Sequence, residues 1–568
     1  MAATTESAVH LCGTCRKYFD NEDIVGNQTE SKSDNDTVCN VCLGLWDDRI
    51  KDVLVKEVEE SCKPYGGIER NRFSVQSQAK ICIPGDVLLR YELERKHFER
   101  PAYRQTEFTT FLKELKLRLR TIMEQHLEEK QLPNLVDGYP KCVEEEEQGY
   151  LECHLLAIPT ASLVRPSSLY IPPVKQPRKR NRGAEPTLKQ GGEPVINAQL
   201  RHNNAVKAQQ AAEDSSPSLD NRTDENGIGR GDDCNNPEAL QSILSTGEVE
   251  TVLEKARDMD ELVDWYRQKG QPGRDPVRLS VVVHRRPMFV KGMYTKSRRD
   301  VSQTPFFVPH DDRKGMKKLG VTSVEEQITG PLATACGGIS TTNNIGLTGG
   351  MVYGYVKFHG SGREDMNVRM LLPPQPRPTN VGGRPFVCEV VDALELPTPQ
   401  VLQSFVQTIN QTPVAATDER NYYGDNEMGV GVSGCLDFTP QSSYSTLQSD
   451  TEDKVKYYGC LCWSKEPIVS DEALQSRLGD ALCPIQLQQR TPMRVVHRRV
   501  NTVRERAVLS LRATRIDAHH FRLNMSTEAG TYVKEFVHGD LGRTCPSVGT
   551  LLGCRVDILE LDCEGIKL

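Results

Sequence analysis

Two cysteine pairs carry the clearest chemistry of the chain: Cys12 and Cys15 in Leu-Cys-Gly-Thr-Cys, and Cys39 and Cys42 in Val-Cys-Asn-Val-Cys, with 23 residues between the pairs. A Cys-x-x-Cys pair places two thiolates on one side of a tight turn, and two pairs complete the tetrahedral four-sulfur shell that structural zinc prefers. A redox pair or chance buried thiols would account for one such motif, but two near one terminus favour zinc. Four sulfurs leave no open position for water, so the metal is expected to staple a segment too small to fold alone, with no catalytic role. Elsewhere, Glu364 and Asp365 are adjacent carboxylates. On an extended segment neighbouring side chains point to opposite faces, so only one of them can face a site. Between residues 490 and 515 stand eight arginines (Arg490, Arg494, Arg498, Arg499, Arg504, Arg506, Arg512 and Arg515) against a single acid, Glu505. The planar fork of arginine suits phosphate, so contact with nucleic acid is the expectation and a solvated surface the alternative.

The elements that must position these residues are spread over 568 residues, too many for one core. Hydrophobic residues at 37% and a formal charge of −7 fit a soluble protein with a polar portion, acidic overall and basic only locally. No apolar run is long enough to span a bilayer, and the start Met-Ala-Ala-Thr-Thr-Glu-Ser lacks the build of a signal peptide, so an intracellular protein is expected, with most of its 18 cysteines reduced.

Phe108, Phe111, Leu112, Leu115, Leu119, Ile122 and Met123 recur at the spacing of one helical face, which predicts a core-facing helix. Its Lys113, Lys116, Arg118 and Arg120 form a solvated face or meet RNA. Residues 165–250 are rich in proline and polar residues and carry a basic cluster at 178–182, the composition of a linker that cannot offset its ordering entropy. A short helix over 258–268 leads back into folded chain. From residue 277 onward β-branched runs predict strands at 277–283, 351–358, 385–391, 456–463, 520–525 and 556–561. Strands with fewer helices between them point to a mixed α/β domain with a largely antiparallel sheet.

Particular runs then acquire a meaning. Gly362-Arg363-Glu364-Asp365-Met366-Asn367-Val368-Arg369, Gly383-Arg384-Pro385-Phe386, Lys456-Tyr457-Tyr458, Thr491-Pro492-Met493-Arg494 and Ala529-Gly530-Thr531-Tyr532-Val533-Lys534-Glu535-Phe536 resemble signature segments of the pseudouridine synthase ten family, the T-loop tRNA pseudouridine synthases. Further matches, among them Phe289 to Tyr294, Gln303 to Phe306 and Ser323 to Glu326, spread the resemblance over about half the chain. It implies an α+β pseudouridine synthase catalytic domain at 251–568. Before it would come a zinc-binding segment (1–60), a THUMP-like RNA-binding accessory domain (61–164, with a strand at 149–157) and the linker.

The resemblance also implies the reaction and its residues. Pseudouridine formation breaks the glycosidic bond of a uridine, turns the freed base and rejoins it through C5, with no redox or group carrier. An ionised carboxylate acts as nucleophile or as base toward the ribose, and the motif selects Asp365. Tyr458 and Tyr532 match the aromatic positions that hold the base; each alone would pass for a core or edge-strand residue. Lys534, on one strand face with Tyr532, matches the basic partner that keeps the aspartate ionised. The expected substrate is tRNA, at uridines 54 and 55 of its T-loop, and the expected enzyme a monomer of nucleus or cytoplasm with structural zinc and no organic cofactor. The chain departs from the family pattern in proline-rich residues 371–382, in the polar loop 341–350 and at the tip of 294–299, which bears on substrate choice. A non-catalytic RNA-binding adaptor is the rival reading. A methyltransferase or thiouridine synthase would need a glycine-rich cofactor loop opening a helix, and 346–350 runs into a strand.

Overall fold

Phe111, Leu115, Leu119, Met123 and Leu127 are all buried, so the apolar stripe read from the sequence does face a core. The computed structural model describes residues 12, 14, 15, 39, 41–74, 81–83, 85–97, 108–130, 146–159, 263, 266, 277–309, 316–340, 351–372, 380–412, 429–449, 454–496 and 499–567. The linker at 165–250, most of the short helix at 258–268, and the loop 341–350 lie outside them. Among the described residues no helix is long and apolar enough to cross a membrane.

The chain divides into two units, Met1–Leu135 with Leu151–His284, and Val136–Tyr150 with Arg285–Leu568. In the first, helices α1 (Ile50–Cys62), α2 (Gly85–His97) and α3 (Phe108–Lys130) accompany a sheet ordered β1 (Ile81–Cys82), β2 (Leu151–Pro159), β3 (Val277–Arg285). Tyr91 of α2 stacks on Phe111 of α3 with ring centroids 5.0 Å apart. Ser61 Oγ donates to the Val281 carbonyl (2.7 Å) and the Tyr65 hydroxyl to that of Val283 (3.0 Å), tying the end of α1 to β3. β3 was expected to open the catalytic half, and it pairs instead with β2. Its consecutive buried residues Val281, Val282 and Val283 suit a strand covered on both faces, a pattern that does not say which sheet the strand joins.

The second unit runs through β4 (Met288–Lys296), β5 (Phe306–Pro309), β6 (Met316–Leu319), α4 (Val324–Ala335), β7 (Ile339–Ser340), β8 (Met351–Tyr353), β9 (Tyr355–Gly360), β10 (Val368–Met370), β11 (Val381–Gly382) and β12 (Arg384–Val391). It continues through α5 (Pro399–Gln411), β13 (Val430–Val432), β14 (Asp437–Phe438), α6 (Ser442–Ser449), β15 (Lys456–Ser464), α7 (Asp471–Leu478), β16 (Ile485–Arg490), β17 (Val503–Arg515), β18 (His520–Thr527), α8 (Val533–His538), β19 (Thr544–Cys545), α9 (Val548–Leu552) and β20 (Val556–Lys567). A 13-stranded sheet follows the order β19-β16-β17-β18-β15-β20-β10-β4-β12-β9, with β11 on β20 and β13 and β14 on β4. Its described pairings are antiparallel except β10 with β20. This is the mixed, largely antiparallel sheet expected. The run 351–358 is two strands where one was expected, because Gly354 turns the chain at φ +62°, where an added Cβ would meet the Cys336 carbonyl at 2.9 Å.

Two cores flank the middle of this sheet. One gathers Tyr294, Ile328, Phe386 and Leu402, with α4 and α5 over it. The other gathers Leu511, Phe521, Phe536 and Val548, with α7, α8 and α9. Ser323 caps α4, its Oγ accepting from Glu326 N–H and donating to the Glu326 carboxylate. The Ser323 to Glu326 motif therefore starts a helix.

Candidate active site

Asp365 lies on the loop between β9 and β10, just before Val368 of one core and Met370 of the other. Gly362 takes φ +78° to turn this loop, and buried side chains hold it from beneath. Arg384, 3% exposed, donates from Nη1 to the Ser361 carbonyl (2.8 Å) and pairs through Nε with Glu364 at 2.6 Å. The Tyr294 hydroxyl donates to Glu364 (2.7 Å), and Gln303 Nε2 donates to both Tyr294 Oη (2.9 Å) and the Gly362 carbonyl (2.8 Å). Lys296, fully buried, donates from Nζ to the carbonyls of Val301 and Met366 (2.8 Å each) and Asp365 (3.4 Å). Arg299 donates to the carbonyls of Asn367 (3.0 Å) and Leu561 (2.9 Å) while pairing with Glu560 and Asp562. Burial pushes the Lys296 ammonium down to about 8, with Arg384 and Arg299 adding to the shift and Glu364 and Asp365 opposing it.

This foundation turns Glu364 inward and leaves Asp365 facing out. The Asp365 carboxylate meets Lys534 Nζ at 3.0 Å and Arg494 Nη1 at 3.1 Å. Lys534 also donates to Asn367 Oδ1 (3.1 Å), and Arg494 pairs through Nε with buried Glu535 at 2.8 Å. Arg494 thus bridges two carboxylates; burial works against its charge, and Glu535 and Asp365 more than restore it. Gln489, fully buried on β16, sets the start of α8: its amide donates to the Tyr532 carbonyl (3.0 Å) and accepts from Tyr532 N–H (2.9 Å). A carboxylate between two cations, on a rigid loop yet open to solvent, stays ionised and can act as nucleophile or base.

The structure thus brings Asp365 and Lys534 together. Tyr532 and Lys534 do not share a strand face as expected: Tyr532 caps α8 and Lys534 lies within it. The helix is short, and buried Val533, Phe536 and Val537 show its three- and four-residue spacing only over a single turn and a half. Tyr458 is half-buried on β15, opposite Cys563 and Met525, and packs against both cores. Burial raises its phenol well above the ordinary range, with the charges of Cys563 and Glu364 adding to the rise. Lys296, Gln489 and Glu535 were not singled out in the sequence, and Arg494 was read as one of a basic run and as the end of the Thr491 to Arg494 match, with no role at the aspartate. The one available signal was Glu535 itself, an acid beside Lys534 in an otherwise apolar turn. In the first unit the sulfurs of Cys12, Cys15, Cys39 and Cys42 all lie within 4.8 Å of one another, with Cys12 and Cys42 3.8 Å apart. A tetrahedron built on metal–sulfur bonds of about 2.3 Å has edges of about 3.8 Å, so this donor set fits a metal ion.

The elements that carry Asp365, Arg494, Tyr458 and Lys534 fall inside residues 289–567, which match the family described as Pus10, C-terminal. Among similar proteins, the tRNA pseudouridine synthase Pus10 of Xenopus laevis is 33% identical over 338 residues, 59% of this chain and 56% of its own length. The Homo sapiens protein of the same name is 31% identical over 338 residues, 59% of this chain and 55% of its own. That of Thermofilum pendens is 29% identical over 293 residues, 51% of this chain and 54% of its own. The chain therefore spans a little over half the length of these Pus10 relatives. The crystal structure of a Cbf5-Nop10-Gar1 complex is similar over 23% of this chain and 36% of that one, at 19% identity and a TM-score of 0.18, an overlap that carries no weight here.

Proposed function

We propose that this chain isomerises uridine to pseudouridine in tRNA, at the T-loop, with Asp365 as the reacting carboxylate. The observation that carries this is the outward Asp365 held between Lys534 and Arg494 above a buried polar foundation. In the reaction the N1–C1′ bond breaks, the base turns, and C5 bonds to C1′. The C5 proton is then lost and N1 ends protonated, so atoms and electrons balance without a cofactor. Asp365 attacks C1′ or removes a ribose proton; Lys534 and Arg494 keep it ionised and aimed. Tyr458 and Tyr532 hold the base, and Tyr532 is suited to take the C5 proton. An aromatic ring against the flipped uracil offsets lost stacking by on the order of 1–3 kcal/mol.

Arg490, Arg499 and Arg512 are exposed on the same unit and are assigned to the tRNA backbone. The first unit, a three-stranded sheet with helices, is assigned as a THUMP-like RNA-binding accessory. Its Cys12, Cys15, Cys39 and Cys42 would hold zinc in a closed four-sulfur shell, and that ion would supply folding stability alone. The test is release of tritium from C5-labelled uridine in a tRNA transcript by the purified protein and by its Asp365→Asn form. Release by the first and none by the second is expected. Binding of tRNA by both, with release by neither, would overturn the assignment in favour of an adaptor.

A further inference from the structure

A second group of metal-ligating side chains lies in the first unit, away from the four cysteines in sequence and on different elements. Glu152 and His154 are two residues apart on β2, so both point to one face of the strand. His284 comes from β3, the neighbouring strand. His284 Nε2 lies 3.0 Å from Glu152 Oε2, and His154 Nε2 lies 3.6 Å from the same oxygen. The two imidazoles are parallel, 4.6 Å between centroids with 5° between planes. A ligand atom from each of the three residues lies within 4.8 Å of the other two. His154 is buried, and the side chains of Glu152 and His284 are 15% and 20% exposed, so the group has a closed side and an open one.

The geometry points to a binding site for a first-row divalent transition ion, held by His154 Nε2, His284 Nε2 and Glu152. Bonds of about 2.0–2.1 Å to nitrogen and carboxylate oxygen make a tetrahedron with edges of about 3.4 Å; the two measured separations stand on either side of that value. Two imidazoles and one carboxylate form a donor set for zinc, and for iron, cobalt or nickel in open sites. Three protein ligands leave a fourth position, on the exposed side, to water. Unlike the closed shell of four sulfurs, this ion would be exchangeable, and it would clip β2 to β3. Without the ion, His284 and Glu152 form an ordinary close pair with His154 packed beside them, and the experiment must separate that arrangement from a site.

The full chain is stripped with chelator, loaded with Co2+ and freed of excess, and cobalt per chain is measured beside the absorption spectrum. Two equivalents are expected, one with intense thiolate-to-cobalt bands and one with only weak ligand-field bands. His284→Gln and Glu152→Gln should each remove the weak-band equivalent, leave the thiolate bands unchanged and keep the far-ultraviolet dichroism of the parent. His284→Cys should keep the second equivalent and move it into the thiolate spectrum, a gain of signal that a misfolded chain cannot imitate. A parent chain holding only thiolate-bound cobalt, or variants that keep the weak-band equivalent, would overturn the site. A parent lacking thiolate bands but losing its cobalt on His284→Gln would support it, while removing the zinc reading of the four cysteines.

Discussion

Glu364 and Asp365 share a peptide bond and have opposite surroundings. The Glu364 side chain is 3% exposed, locked between Arg384 at 2.6 Å and the Tyr294 hydroxyl, whereas that of Asp365 is 39% exposed and faces Arg494 and Lys534. One carboxylate anchors the loop from within, and the other is presented by it. Exchanging their roles would require the loop to turn over, against the hold of Lys296 and Arg299 on the neighbouring carbonyls.

Substitution at the two positions should therefore separate stability from activity. Glu364→Gln leaves a buried guanidinium without its counter-charge, a change that costs about 3–5 kcal/mol, and activity falls with the loop's position. Asp365→Asn should alter stability by less than about 1 kcal/mol, as at exposed pairs, yet abolish tritium release. Urea unfolding of both variants decides; equal losses of stability would refute the division of roles.

Arg494 joins Asp365 to Glu535, and a lysine can offer only a point charge to one of them. Arg494→Lys should lower kcat/KM by about 10- to 100-fold, the worth of about one charge-assisted hydrogen bond. Retention of parental kcat/KM would show that the bridge is incidental.

A pH test follows from Lys296. Its folded value, about 8, lies below the ordinary 10.5, so between these two the unfolded chain binds more protons and this group's contribution to stability rises with pH. The clamp on the Asp365 and Met366 carbonyls uses the ammonium form and weakens over the same window. Activity should thus decline above about pH 8 while thermal stability does not, and Lys296→Met should flatten that limb of the pH–rate profile. Parallel loss of activity and melting temperature above pH 8 would contradict this assignment.

Arg490, Arg499 and Arg512 have no ion pair among the described residues, and each is exposed. If they meet tRNA phosphate, replacing any one by glutamine should reduce the slope of log K against log salt by roughly 1, with kcat unchanged. Filter binding across a salt series measures it. An unaltered slope in all three would remove this surface from the interface.

What the sequence disclosed depended on how far each signal reached along the chain. Long periodic runs were legible: the stripe from Phe111 to Met123 and the strands at 385–391, 456–463 and 520–525 are where pattern placed them. The outward carboxylate was legible through its motif, and the divergence of Glu364 from Asp365 through elementary geometry. Short elements were not. Residues 533–538 complete a helix too brief for periodicity to show, and an all-apolar run such as 281–283 within β3 does not name its partner sheet. Least legible were Lys296 and Gln489, which hold main-chain atoms distant in sequence, and the role of Arg384, which its motif did not disclose. Arg384 lies 23 positions from the Ser361 carbonyl it holds, and Gln489 lies 43 from Tyr532.

Asp365 stands on the loop underpinned by one core, while Lys534 and Glu535 ride on α8, packed into the other. The charged trio can therefore exist only once both cores of the second unit have consolidated against the shared central strands. On the proposed reading, a nascent or partly unfolded chain would lack the assembled carboxylate and its two cations. In such a design, competence for chemistry becomes an all-or-none readout of completed folding, and a fragment holding either core alone should be inert.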